Sequence, residues 1–137
     1  MRVFLDTNVL VSAFATRGLC SDVLRQVLAE HELVVGEVVL VELGRVLRGR
    51  IGLPKSTLVA IEALLREQEL APRPKKATIP VPRDPSDRWV LASAIAASVD
   101  VLVTGDGDLL ELATKAPIRI VSPREFWALL QTKRSSP

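Results

Sequence analysis

Val3-Phe4-Leu5-Asp6-Thr7-Asn8 is a short apolar run that stops at an acid. A second run, Val101-Leu102-Val103-Thr104-Gly105-Asp106, ends in the same way, with Asp108 shortly after it. Apolar runs this short, without alternation, read as strands of a parallel sheet covered on both faces. A carboxylate at the end of such a strand is costly to desolvate unless it is paired or bound to a metal. Two further acids stand out. Glu42 lies in Val41-Glu42-Leu43, on a helix that is apolar nearly all round, and Asp87 closes Asp84-Pro85-Ser86-Asp87 at the start of another helix.

Outward from these runs, helices and strands alternate along the chain. Strands are expected at 2–5, 33–35, 101–104 and 118–121. Helices are expected at 9–15, at 21–31 with Ser21 as N-cap, at about 38–48 until Gly49 and Gly52 end it, and from Pro54 until Pro72 and Pro74 stop it. Further helices are expected from Pro85 to about Val99, at 108–114 and at 123–131. The stretch 72–85 holds five of the nine prolines and reads as a loop with at most a short strand at 77–81. Strands separated by amphipathic helices predict an α/β fold, and its ligand site is expected outside the carboxyl ends of the strands. Asp6 and Asp106 both lie at such ends.

The 137 residues fit one domain, expected over 1–131 with a frayed tail at 132–137. No apolar run approaches the ~18 residues of a membrane span, and the polar residues after Leu5 do not suit a secretory signal. The single cysteine, Cys20, forms no internal disulfide, which fits a cytoplasmic location. Net charge is +2, a weak pointer to nucleic acid on its own. Its placing says more. Arg45, Arg48 and Arg50 cluster, as do Arg73, Lys75, Lys76 and Arg83. These groups read either as solvated surface or as a phosphate-holding rim around an acidic centre.

Taken in order, these segments resemble the PIN domain family. Leu5-Asp6-Thr7-Asn8-Val9-Leu10 is similar to the family's opening strand, and Val41-Glu42-Leu43-Gly44-Arg45-Val46-Leu47 to its second acid on a helix. Asp84-Pro85-Ser86-Asp87 followed by Val90-Leu91-Ala92 matches the third-acid motif, and Leu102-Val103-Thr104-Gly105-Asp106-Gly107-Asp108 the strand-four signature. The resemblance covers residues 2 to about 130. It implies a three-layer α/β/α sandwich with strand order 3-2-1-4-5, and a metal-dependent ribonuclease. Within the family the chain is similar to VapC-like toxin components of toxin–antitoxin pairs, which implies a small antitoxin as partner. One departure is visible: where many relatives place Ser or Thr before the helical acid, this chain has Gly36-Glu37-Val38-Val39-Leu40.

On this reading Asp6, Glu42, Asp87 and Asp106 form the metal and catalytic site for Mg²⁺ or Mn²⁺, with Asp108 and Asp84 as outer ligands. Thr7, Asn8 and Thr104 support them, and Arg45, Arg48, Lys75, Lys76 and Arg83 hold RNA. Clustered carboxylates repel, so at least one is expected to have a raised pKa in the absence of a cation. The apolar stripes at 38–47 and 58–70 are open to burial in the core, to an antitoxin groove or to a homodimer face. Duller readings stand beside these: Asp84 as a helix N-cap with Asp87 as the acid at N3, and Thr104 to Asp108 as an ordinary turn and helix cap. His31 reads as a helix-end surface residue and Trp89 as core. Two other functions compete. One is a non-catalytic RNA-binding or protein-interaction module of the same fold. The other is a phosphatase-type enzyme with Asp6 as nucleophile, which Asn8 disfavours, because haloacid-dehalogenase-like enzymes usually have an acid at that place.

Overall fold

The computed structural model describes residues 1–76 and 87–135. Five parallel strands, β1 (Arg2–Leu5), β2 (Glu32–Gly36), β3 (Glu69–Ala71), β4 (Val101–Val103) and β5 (Arg119–Val121), form one sheet in the order β3-β2-β1-β4-β5. The helices are α1 (Thr7–Ala15), α2 (Leu19–Glu30), α3 (Glu37–Val46), α4 (Lys55–Arg66), α5 (Asp87–Ala96), α6 (Gly107–Leu110) and α7 (Pro123–Ser135). This is the α/β/α sandwich and strand order that the family resemblance implies. Among the described residues no helix is long and apolar enough to cross a membrane.

The strands lack alternation because both faces of the sheet are covered. Val3, Phe4, Leu5, Val34, Val35, Val101, Leu102 and Val103 are all buried. Phe4 pairs with Val34 on one side and Leu102 on the other, which fixes the register of the central strands. The order places β1 beside β4 and so brings Asp6 next to Thr104. The Asp6 N–H donates to the Val103 carbonyl at 3.0 Å, and the Thr104 N–H to Val121 at 2.9 Å. Gly36 closes β2 where no side chain fits: a Cβ there would meet the buried Phe4 Cζ at 2.6 Å.

Several boundaries differ from expectation. β3 was not expected; its three residues form an edge strand defined by pairing with β2, Val35 opposite Leu70. The strand expected at 77–81 lies outside the described residues. Helix α2 begins at Leu19 after Gly18 rather than at Ser21, since the Asp22 N–H already donates to the Gly18 carbonyl. Helix α7 continues to Ser135, past residue 131. Gly49 does not end the third helix. The chain widens into a π-helical turn over Leu47–Ile51, closed by Gly52 at φ 75°, whose N–H donates to the Leu47 carbonyl.

Candidate metal centre

Asp6 follows β1 and starts α1. Its Oδ1 accepts the Thr7 N–H at 2.7 Å, as an N-cap does, and its Oδ2 accepts the Thr104 hydroxyl at 2.7 Å. Capping therefore explains one oxygen only; the other is held by the neighbouring strand end. The residue is 4% exposed, beside the buried Thr7 and Thr104. Thr104 also accepts the Asp106 N–H at 3.0 Å, and Asp106 Oδ1 accepts the Asp108 N–H at 2.8 Å at the start of α6. The turn reading of Thr104 to Asp108 is thus correct locally, and the same turn aims its acids. Asn8 Oδ1 accepts the Gly105 N–H at 3.2 Å, tying the start of α1 to this turn.

Glu42 reaches the site from α3. Thr7 Oγ1 donates to its Oε2 at 3.2 Å, a polar contact that reaches Glu42 from α1. Asp87, 7% exposed, enters from the first turn of α5. Asp6, Glu42, Asp87 and Asp106 all line one cleft of about 420 Å³ at the carboxyl ends of β1 and β4. Carboxylate oxygens of Asp87 and Asp106, which line this cleft, and of Asp108 lie within 4.8 Å of one another. Asp6 and Glu42 stand beside this tight group rather than in it. Asp84 and Arg83 lie outside the described residues.

The expected raised pKa is that of Asp6. Burial is the leading cause; the bonds from Thr104 and Thr7 oppose it, and the charges of Glu42 and Asp106 add to it. Repulsion among the acids is thus the smaller part of the shift.

A family model described as PIN domain matches residues 2–108. The chain belongs to the PIN domain family. The model spans all four acids, and the fold agrees with solved PIN-type structures. VapBC2 from Rickettsia felis, bound to a DNA fragment from the promoter, aligns with a TM-score of 0.62 at 17% identity, covering 89% of this chain and 98% of that one. DNA-bound VapBC from Salmonella typhimurium gives 0.62 at 19%, covering 90% and 98%. VapC20 from Mycobacterium tuberculosis, a sarcin–ricin loop cleaving toxin, gives 0.57 at 17%, covering 80% and 93%. At these identities the likeness is one of fold. Among curated proteins no sequence matches the chain.

Against this PIN framework the basic residues divide. Arg45 and Arg48 line a separate groove of about 340 Å³ between α3 and α4, with Leu40, Leu43, Leu47, Leu58 and Ile61. Lys75 and Lys76 are exposed just after β3. Arg50, which belonged to the arginine cluster but not to the set assigned to RNA, lines the acidic cleft. Its position depends on the π-helical turn, which the sequence concealed behind Gly49. Trp89, expected in the core, is half-buried, and the Arg73 guanidinium stacks 3.9 Å from its ring centroid. His31 ends α2 and sits 3.2 Å from the N-terminal amine.

Proposed function

We propose that the chain is a metal-dependent endoribonuclease that acts as the toxin of a toxin–antitoxin pair. The observation that carries this reading is the Asp87, Asp106 and Asp108 cluster, with Asp6 and Glu42 in the same cleft. The donor set is all oxygen, without histidine or thiolate, and suits Mg²⁺ or Mn²⁺. Asp87, Asp106 and Asp108 would hold the ion, with Asp6 and Glu42 acting beside them. A bound divalent ion supplies Lewis-acid stabilisation of phosphoryl oxygens and an acidified water.

The protein's own part is to hold these groups still. Thr104 and Thr7 fix both oxygens of Asp6, Thr7 fixes Glu42, and the Asp108 N–H fixes one oxygen of Asp106. Preorganised acids need no rearrangement when the substrate arrives. RNA as substrate is supported by the sarcin–ricin loop cleaving toxin of similar fold. An antitoxin is supported by the VapBC complexes of similar fold. The face available to such a protein partner, or to a second copy of the chain, is that of α3 and α4. There Val41 and Val59 are 66% and 58% exposed, and α4 fully buries only Leu65. A cytoplasmic location belongs to the same reading. The phosphatase reading is opposed by the burial of Asp6 and by the two hydrogen bonds its oxygens accept, which leave it poorly presented as a nucleophile.

The test is calorimetric titration of Mn²⁺ and Mg²⁺ into wild type and Asp106→Asn, with cleavage of a mixed RNA pool in parallel. Asn caps a helix about as well as Asp, so the variant should fold. Metal binding and cleavage in wild type, both lost in the variant, support the proposal. A folded wild type that binds RNA equally in EDTA and never cuts it points instead to the binding-module reading.

A further inference from the structure

Arg50 takes no part in holding the acids or the ion, yet it is the only basic residue among the described residues lining the acidic cleft, whose lining also includes Asp6, Glu42, Asp87 and Asp106. Its side chain reaches no carboxylate within ion-pair distance among the described residues. Helix geometry accounts for its placing. Eight residues of ideal α-helix would leave Arg50 about 80° around the axis from Glu42. The wider π turn advances about 80° per residue and brings that offset down to about 20–30°. Arg45 and Arg48, upstream of or early in the turn, face the α3–α4 groove instead. The turn is held by the Gly52 N–H bond to Leu47, and the Leu53 N–H reaches the same carbonyl at 3.0 Å. A π turn departs from regular helical bonding, and such turns are frequent at functional sites.

A cleft lined by four acids repels a polyanion, and a divalent ion offsets only part of that charge. We propose that the π-helical turn presents Arg50 to the cleft as a contact for the phosphodiester backbone of a single-stranded RNA substrate. The guanidinium grips one phosphate through two N–H groups and positions the neighbouring phosphate over the acids. The proposal rests on the nuclease reading for the identity of the strand and on the geometry of the turn for the residue.

The experiment compares wild type, Arg50→Ala, Arg50→Lys and Arg119→Ala. Arg119→Ala is a control with the same charge change at the exposed start of β5. Binding of a fluorescent 2′-O-methyl oligoribonucleotide is followed by anisotropy over a salt series, and cleavage of an RNA pool is measured with Mn²⁺. Arg50→Ala is expected to weaken binding by about tenfold and to lower the slope of log affinity against log salt by about 0.7, one phosphate contact on a single strand. In cleavage, KM should rise more than kcat falls. Lys should restore the slope but only part of the affinity, and Arg119→Ala should change neither. If wild type binds and cuts while Arg50→Ala matches it in affinity and slope, the inference is overturned. It is equally overturned if Arg50→Ala only tightens Mn²⁺ binding, which would make Arg50 an internal counter-charge. A wild type that binds through Arg50 but never cuts removes the nuclease reading and leaves the phosphate contact standing. One that neither binds nor cuts removes both.

Discussion

At the amino ends of the strands, Arg2 bonds Glu32, Glu69 and the Ala97 carbonyl, and its own N–H donates to Asp100 at 2.7 Å. At the carboxyl ends, Asp6, Glu42, Asp87 and Asp106 share a cleft with one guanidinium among the described residues, that of Arg50. The same residue types meet opposite treatment. Arg2 pulls the Glu69 carboxyl below its ordinary range, while burial pushes Asp6 above its own. A network that serves the fold satisfies its charges internally. One that leaves several acids together and desolvates one of them carries a cost that a bound cation would relieve, and perturbed acids in a cleft are candidates for functional sites. The two ends of one sheet thus differ as a compensated structural network differs from the proposed site.

The strongest way to break this comparison is to remove one carboxylate from each end and measure RNA cleavage with Mn²⁺. Asp87→Asn should lose about a thousandfold in kcat/KM, since losing several kcal/mol of transition-state stabilisation costs a decade per ~1.4 kcal/mol. Glu69→Gln should cleave like wild type. Equal losses at both ends would mean that the acids act through the fold.

Next in size is a steric prediction. Gly36 lets the end of β2, and with it α3 and Glu42, approach β1 over the Phe4 ring. Gly36→Ala overpacks that contact and should cost about 1–3 kcal/mol in urea unfolding. It should also lower activity beyond the stability loss, because the 3.2 Å Thr7–Glu42 bond spans the same junction. A neutral Gly36→Ala would show that the ring can move aside.

A third effect turns on pH. The folded-state pKa of Asp6 lies above its unfolded value, so its contribution to stability is fully present at low pH and is lost as pH rises through the folded-state value. In EDTA at neutral pH, Asp6→Asn should therefore melt at a higher temperature than wild type, and the gap should close on acidification. Mn²⁺ should raise the wild-type Tm more than that of the variant and narrow the gap, because the ion also relieves the buried Asp6 charge, which only wild type carries. A variant less stable than wild type in EDTA at neutral pH would mean that the Thr104 and Thr7 bonds outweigh burial.

The legibility of the sequence follows the same division. Asp6 and Asp106 could be read because strand ends are local features and an acid closing an apolar run has few structural uses. Asp87 and Glu42 came from motif and helix pattern, and all four acids do line one cleft. Finer distinctions were not local. That Asp108 joins Asp87 and Asp106 while Asp6 and Glu42 stand aside depends on the turn after β4. Strand β3 escaped notice because Glu69-Leu70-Ala71 has no β-branched residue and owes its form to pairing with β2. The π turn escaped because Gly49 is an ordinary helix terminator by propensity, and tertiary context carries the helix past it to Gly52. Arg50, grouped with Arg45 and Arg48 by sequence, parts from them across this turn and lines the acidic cleft.

The smallest effect lies at the amino end, and its value is its sign. Glu69 has a lowered folded-state pKa, so its contribution is present above the unfolded carboxylate value and is lost as pH falls through the folded one. Arg2 and Glu69 are 30% and 52% exposed, and solvent screening keeps such a pair to roughly 0.2–1 kcal/mol. Glu69→Gln should therefore lower stability slightly at neutral pH, by less in high salt, and not at all in acid. Asp6→Asn shows the opposite slope over the same titration. Stability differences of opposite sign at neutral pH that converge to zero in acid would establish that burial governs one end and pairing the other; differences of the same sign would mean that the Asp6 environment is as well compensated as that of Glu69.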